Sequence, residues 1–250
     1  MCRRELPRLS AYASWFGGAR LVSPIIVAID GPAASGKSST ARAVAAQLGF
    51  RHLDSGALYR GVTLAAVRAG LPRPFDAPDV VAEAERWGVD LRPRNGDFEV
   101  VAGEPVPDAS LRAAAVTEHV SEIAALAEVR CWVNEHLRRT ALEGQGVVVD
   151  GRDIGSVVFP KAQLKVYLTA SPAARAGRRL RQRGEAVDPE QLRRETEALA
   201  ARDHADSSRA VAPLVRAADA VALDTSDLSF EEQVDRILEL ARDRGLASDG

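Results

Sequence analysis

Gly31, Pro32, Ala33, Ala34, Ser35, Gly36, Lys37 and Ser38, followed by Ser39, fit the pattern G-x-x-x-x-G-K-[ST]. Each residue type has its own chemical use. Glycines let backbone N–H groups converge on phosphate oxygens. A helix starting at this point adds its positive dipole end. Lys37 carries a flexible point charge toward the β- and γ-phosphates, and the Ser38 hydroxyl suits a magnesium ion. Together these residues predict binding of a nucleoside triphosphate with Mg2+. They do not separate a GTPase from an ATPase or a kinase.

Three other segments carry charged residues at short spacing. The first runs Asp54-Ser55-Gly56-Ala57-Leu58-Tyr59-Arg60, where Ser55, Tyr59 and Arg60 can face one pocket from a helix start. Tyr59 either packs or touches a ligand. The second is Asp150-Gly151-Arg152-Asp153, after an apolar run. Asp150 ends that run, a position suited to holding Mg2+ through water. Asp153 suits either recognition of a base or an ion pair with Arg152. The third, 202–214, brings Arg202, Asp206 and Arg209 together.

Parallel strands and helices must position these groups. The apolar, β-branched run 25–29 predicts a strand buried on both faces, before the glycine-rich turn. A helix through Ala41, Val44, Ala45 and Leu48 stops at Gly49. A short strand at 50–53 and a helix from about Ala57 to Gly70 complete a βαβα unit, hence a parallel sheet. Prolines then crowd the chain from 71 to 110. Two strand-like runs, 89–92 and 98–101, flank Asn95-Gly96, a hairpin signal. This insert, about 85–110, is expected to lie outside the main sheet. Residues 110–142 read as helical, in two pieces. Strands follow at 147–149, 164–168 and 220–223. Ser171-Pro172 and Asp188-Pro189 predict helix starts, the second for a helix over 189–203. A capping box, Ser229 and Glu232, opens a last helix expected to bury Phe230, Val234, Ile237, Leu238 and Ala241. In open α/β sheets the ligand crevice lies at the carboxyl ends of the strands, and Asp54 and Asp150 both fall there.

In this order, GPAASGKS, LDSGALYR, VDGRDIGSVVFP and SSRAVAPL resemble bacterial cytidylate kinase, also called (d)CMP kinase. The resemblance runs from about residue 25 to 246. It implies an α/β P-loop kinase fold: a five-stranded parallel sheet flanked by helices, a small antiparallel β insert and a helical LID. The insert fits the enlarged monophosphate-binding region of the long bacterial form. The implied reaction moves the γ-phosphate of ATP to CMP or dCMP, with Mg2+. By motif match, Arg60, Arg152 and Arg209 resemble the family's arginines around the acceptor phosphate. Ser121, Arg130 and Asp153 resemble its cytosine-side contacts. Asp206, with Arg202 and Arg209, resembles its ribose-side group. Ser55 and Tyr59 fall on the acceptor side, and Thr225-Ser226-Asp227 falls where related kinases hold the adenine. The implied division is CORE at 25–84, 146–171 and 188–250, a monophosphate-binding part at 85–145, and a LID at 172–187 rich in arginine (175, 178, 179, 181 and 183). Two readings stay open beside this one. One is a P-loop kinase for another acceptor, such as a different nucleoside monophosphate or shikimate. The other is a nucleotide-binding protein without turnover.

Composition narrows the partners. The 250 residues carry a formal charge of −2, against a general nucleic-acid binder. Of 33 basic residues only Lys37, Lys161 and Lys165 are lysines. Lys161 and Lys165 look structural or solvated. Two cysteines, Cys2 and Cys131, are too few for a disulfide framework or a Cys-rich zinc site, so a reducing cytoplasm is expected. Cys131 reads as a small core residue. His52, His119, His136 and His204 show no partner pattern and read as surface or packing residues. No run of 18 apolar residues suggests a membrane span. Residues 1–24 are expected to form a disordered tail, or to reflect an upstream start codon with the functional chain beginning near Val22. A monomer is expected from the resemblance.

Overall fold

The computed structural model describes residues 24–143 and 146–246. The expected tail therefore lies, apart from Pro24, outside the described residues. The chain runs β1 (Ile25–Asp30), α1 (Lys37–Leu48), β2 (Arg51–Asp54), α2 (Ser55–Arg68), α3 (Ala77–Arg86), β3 (Val89–Arg94), β4 (Asp97–Ala102) and β5 (Glu104–Pro105). It continues with α4 (Asp108–Leu111), α5 (Ala114–Ile123), α6 (Ala127–Ala141), β6 (Gly146–Gly151), a π-helical turn Ile154–Val158, β7 (Leu164–Thr169), α7 (Pro172–Gln182), α8 (Pro189–Ser207), β8 (Val221–Asp224) and α9 (Phe230–Arg242).

The five parallel strands stand in the order β2-β6-β1-β7-β8. Side chains alternate between the two faces, as a pleated strand requires. On β1, Ile26 and Ala28 enter one apolar layer, while Val27 and Ile29 enter the other. α1 and α9 cover the second face, and α2, α3, α5 and α6 cover the first. The turn before α1 needs glycine at residue 31. A Cβ there would stand 2.1 Å from the Leu168 carbonyl oxygen, so only a bare backbone lets β1 and β7 close beneath the loop.

The hairpin forms at Asn95-Gly96, both with positive φ (48° and 84°). It does not lie outside the main sheet. β4 pairs with β2 through His52 and Asp97, and β3 pairs antiparallel with β4. The hairpin thus extends the sheet from its β2 edge. α2 packs closely over it: a Cβ at Gly61 would stand 2.7 Å from Val100 Cγ1.

Other departures have local causes. The proline-rich stretch hides α3, because Pro78 falls in the first helical turn, where a missing N–H costs nothing, and Asp76 caps it. Residues 110–142 hold helical segments in three pieces rather than two, since α4 is a single turn from Asp108. α8 runs to Ser207, past the expected end at 203, and so carries Arg202 and Asp206 on one helix. Phe230 stands at the start of α9 and is exposed, whereas Val234, Ile237, Leu238 and Ala241 are buried as expected. Cys131 is half-buried. The caps at Ser171, Asp188 and Ser229 form as expected, each accepting a backbone N–H in the first turn.

Candidate active site

The carboxyl ends of β1, β2 and β6 open on a cleft of 330 Å³. Its donor end is the glycine-rich turn. Ala33, Ala34, Gly36, Lys37, Ser38 and Ser39 line it, whereas Gly31, Pro32 and Ser35 sit in the turn behind the wall. α1 starts here with no side-chain cap and no acidic residue in its first turn, leaving its N–H groups available to an anion. Lys37 Nζ donates to the Pro32 carbonyl at 2.7 Å. Burial, reinforced by Arg152, pulls the Lys37 ammonium down to about 7. Bringing an anion against it would restore its charge.

Asp150 ends β6 beside this turn. Ser38 Oγ donates to its Oδ2 at 2.6 Å, and His52 Nε2 lies 2.8 Å from its Oδ1. Burial works against its charge, but the His52 and Ser38 hydrogen bonds and the nearby Lys37 prevail and hold the carboxyl below its ordinary range. Asp54 at the end of β2 shares the wall, with its carboxyl pushed up by burial and by the charge of Asp150. These hard oxygen donors, with crowded negative charge, fit a magnesium ion. Among the described residues no group of three or more His, Cys, Asp or Glu is arranged to cage a metal. An ion held here would therefore share its coordination with phosphate oxygens.

The rest of the lining is arginine-rich. Arg60, Arg130, Arg152, Arg202 and Arg209 all line the cleft, with Ser55, Tyr59, Ser121, Asp153 and Asp206. Arg152 Nε donates to Asp206 Oδ2 at 3.0 Å, and Arg209 Nε donates to the Asp206 carbonyl at 3.1 Å. Arg130 donates to Asp153 and to the Ala124 carbonyl, both partners of the pair being buried. Of the two roles open for Asp153, the pairing with Arg152 is therefore wrong: Arg152 turns to Asp206, one helix away. Arg60 donates to the Leu111 carbonyl and to Thr117. Arg202 has no hydrogen-bond partner for its Nε among the described residues, and burial, then Arg152, lower it to about 10. Arg60 and Arg209 are lowered too, in each case by burial first. Such crowding of cations is relieved by a bound anion.

The remaining expected residues take particular places. The Tyr59 ring is buried with the Arg130 guanidinium 5.5 Å above it, and its hydroxyl has no hydrogen-bond partner among the described residues. Tyr59 therefore packs and lines the wall at once. Ser55 Oγ donates to the Asp150 carbonyl at 2.7 Å, so it supports β6 as well as lining the cleft. Ser121 stands half-exposed on α5. Of the arginines on α7, Arg179 reaches the cleft while bridged to Glu195. Arg175 is buried and pairs with Asp203, and Arg178 binds Thr225. Lys165 is buried against Asp219, and Lys161 is exposed.

Sequence reasoning missed several groups. His52 is neither a surface residue nor a simple packing residue: it is 2% exposed and lies between two carboxylates. Those contacts outweigh burial and raise it to about 9. Asp30 accepts the N–H groups of Ile154 and Gly155 at 2.8 and 2.7 Å, tying β1 to the segment after Arg152. Asp203 accepts the Ala33 N–H at 3.0 Å while holding Arg175, linking α7 and α8 to the glycine-rich turn. Asp108 and Arg112 on the cleft rim were also missed. Only the acidic residue closing β1 carried a signal in the sequence.

A family model described as cytidylate kinase matches residues 27–243. The chain belongs to the cytidylate kinase family. Members of that family named cytidylate kinase include one from Mycobacterium avium, 44% identical over 88% of this chain and 96% of its own length. Another, from Streptomyces avermitilis, is 42% identical over 92% of this chain and 98% of its own. A protein from Synechocystis named bifunctional pantoate ligase/cytidylate kinase is 42% identical over 94% of this chain, which spans 47% of that longer protein. Among solved structures, a shikimate kinase from Bacteroides thetaiotaomicron aligns with a TM-score of 0.47 at 15% identity, over 87% of this chain and 98% of its own. Every motif through which the sequence resembles cytidylate kinases lies inside the matched span.

Proposed function

We propose that the chain transfers the γ-phosphoryl group of ATP to CMP and dCMP, giving ADP with CDP or dCDP. The observation that carries this reading is that Arg60, Arg130, Arg152, Arg202 and Arg209 line one cleft together with the glycine-rich turn. Two phosphate-bearing ligands meeting there need that much positive charge. Family membership supports the pyrimidine acceptor. A monophosphate brings its own anionic nucleophile, so no strong general base is required. Its oxygen attacks the γ-phosphorus, and the bond to the β–γ bridging oxygen breaks. The barrier is then mainly one of bringing two anions into line, which positioning and charge neutralisation lower.

Each residue takes a part in that scheme. The N–H groups of the turn and Lys37 hold the donor phosphates. Arg60, Arg152 and Arg209 hold the acceptor phosphate, where planar forks suit paired oxygens. Arg202 and Asp206 face the ribose, and Ser121, Arg130 and Asp153 the cytosine. Ser55 and Tyr59 form the acceptor wall. Ser38 and Asp150 would hold Mg2+, which when bound neutralises charge on the donor phosphates. Residues 172–187 act as a LID that excludes water on closing, residues 85–145 form the monophosphate-binding part that supplies Ser121 and Arg130, and 25–84, 146–171 and 188–250 are CORE. The protein works as a monomer in the cytoplasm, with ATP and CMP or dCMP as its small-molecule partners. No described helix is long and apolar enough to cross a membrane.

A coupled ADP-release assay across nucleoside monophosphates and shikimate tests the reading. CMP and dCMP should be turned over fastest, and Lys37→Ala should abolish most of that rate. Faster turnover of AMP, UMP or shikimate would overturn it.

A further inference from the structure

His52 is a buried polar group that the scheme above leaves without a task. It sits on β2 with both ring nitrogens facing carboxylates, Nε2 at 2.8 Å from Asp150 Oδ1 and Nδ1 at 3.0 Å from Asp97 Oδ1. The other oxygens of these carboxylates are also taken. Ser38 Oγ donates to Asp150 Oδ2 at 2.6 Å, and Arg42 Nε donates to Asp97 Oδ2 at 2.9 Å. A continuous chain therefore runs Arg42–Asp97–His52–Asp150–Ser38. It starts on the exposed side of α1, crosses the hairpin and β2, and ends at the glycine-rich turn.

We infer that His52 is a positioning residue for phosphoryl transfer: it aims the Asp150 carboxylate at Ser38 and anchors that aim to the hairpin through Asp97. This rests on the reading of Ser38 and Asp150 as the magnesium side of the cleft.

Three observations support it. First, a buried carboxylate can rotate about its last bond. With Oδ1 held by the ring, only Oδ2 remains for Ser38 and the cleft. Groups that orient a metal's ligands in this way typically change affinity by roughly 10- to 100-fold when lost. Second, β4 joins β2 at this very point: His52 is the register partner of Asp97, and the His52 N–H donates to the Gly96 carbonyl at 2.9 Å. The backbone thus fixes the ring's position from outside the cleft. Third, an apolar residue would fill this interior site with less desolvation than an imidazole between two carboxylates. A group serving only to pack the sheet has no need of two charged partners.

The experiment measures binding of the fluorescent nucleotide mant-ADP to the full chain, in EDTA and in saturating MgCl2, for wild type, His52→Gln, Asp97→Asn and Ser38→Ala. The ratio of the two Kd values reports the metal's share of binding. His52→Gln should cut that ratio about tenfold, leaving the Kd in EDTA and the KM for CMP within about twofold. Asp97→Asn should move the ratio in the same direction by less. A loss of Tm or kcat in His52→Gln with the ratio unchanged would overturn the inference and reduce His52 to a strut for the hairpin. If His52→Gln does not fold, Asp97→Asn decides, and an unchanged ratio there overturns it. If Ser38→Ala leaves the ratio unchanged, the magnesium reading itself fails, and the inference with it. If Ser38→Ala lowers the ratio and His52→Gln does not, the inference alone fails.

Discussion

At the scale of single residues, the cleft is a problem in placing like charges. Arg152 and Arg209 both lean on Asp206, so their positive forks are held near one another by one carboxylate. Removing Arg209 takes away an anion contact and unbalances Asp206 together. Arg209→Ala should therefore lower kcat/KM for CMP by about 2–4 kcal/mol, roughly 30- to 1000-fold, in steady-state assays. A loss under about tenfold would place Arg209 outside the acceptor site. Arg130 is a different case. Its pair with Asp153 is buried, and removing one partner strands a charge, so variants there will report stability as well as binding. Lys37, Ser38, Arg152 and Arg209 were legible because their motifs are local. His52 was not. Its partners stand 45 and 98 residues away, and a lone histidine carries no mark of who will face it.

At the scale of elements, the strands of the parallel sheet could be read from their apolar runs, and the starts of α7, α8 and α9 from their caps. α3 was hidden, because proline is read as a breaker although the first turn of a helix tolerates it. The hairpin's turn was legible but its docking was not, since joining β2 depends on one long-range pairing. Asp30 shows how one side chain couples elements. It closes β1, yet both its oxygens serve the backbone after Arg152. Burial raises its carboxyl from 3.8 to about 6 against those hydrogen bonds. Between these values the folded chain binds a proton that the unfolded chain has released. Stability from this group is therefore highest below pH 3.8 and falls as pH rises toward 6. The full loss is about 3 kcal/mol. Asp30→Asn removes this titration. Urea unfolding at pH 4 and pH 7 should show wild type losing stability relative to Asp30→Asn across that window; parallel profiles would contradict it. The same variant should lower kcat, because one amide cannot accept both N–H groups.

At the scale of the whole molecule, α7 and α8 lean over the cleft on ionic contacts. Asp203 joins Arg175 to the glycine-rich turn, and Glu195 holds Arg179 and Arg183. The connection between the two helices, 183–188, is largely exposed. If 172–187 closes over two bound nucleotides, ATP with CMP should slow tryptic cleavage at Arg181 and Arg183 by about tenfold. Either nucleotide alone should protect less. Equal cleavage with and without both ligands would show that the segment does not close. The near-zero net charge fits this picture, because the ligands need a positive cleft rather than a positive surface.

The amino-acid sequence by itself determined the glycine-rich turn, the parallel strands that carry it, and the three arginine-bearing segments that line the cleft. These are written in contiguous residues, where spacing and local geometry act together. Only the tertiary structure decided which charges pair. It gave Arg152 to Asp206 rather than Asp153, placed His52 between Asp97 and Asp150, and brought Asp203 to the turn at Ala33. The physical reason is that an ion pair depends on distance and burial, and both are created only when segments far apart in the chain are packed together.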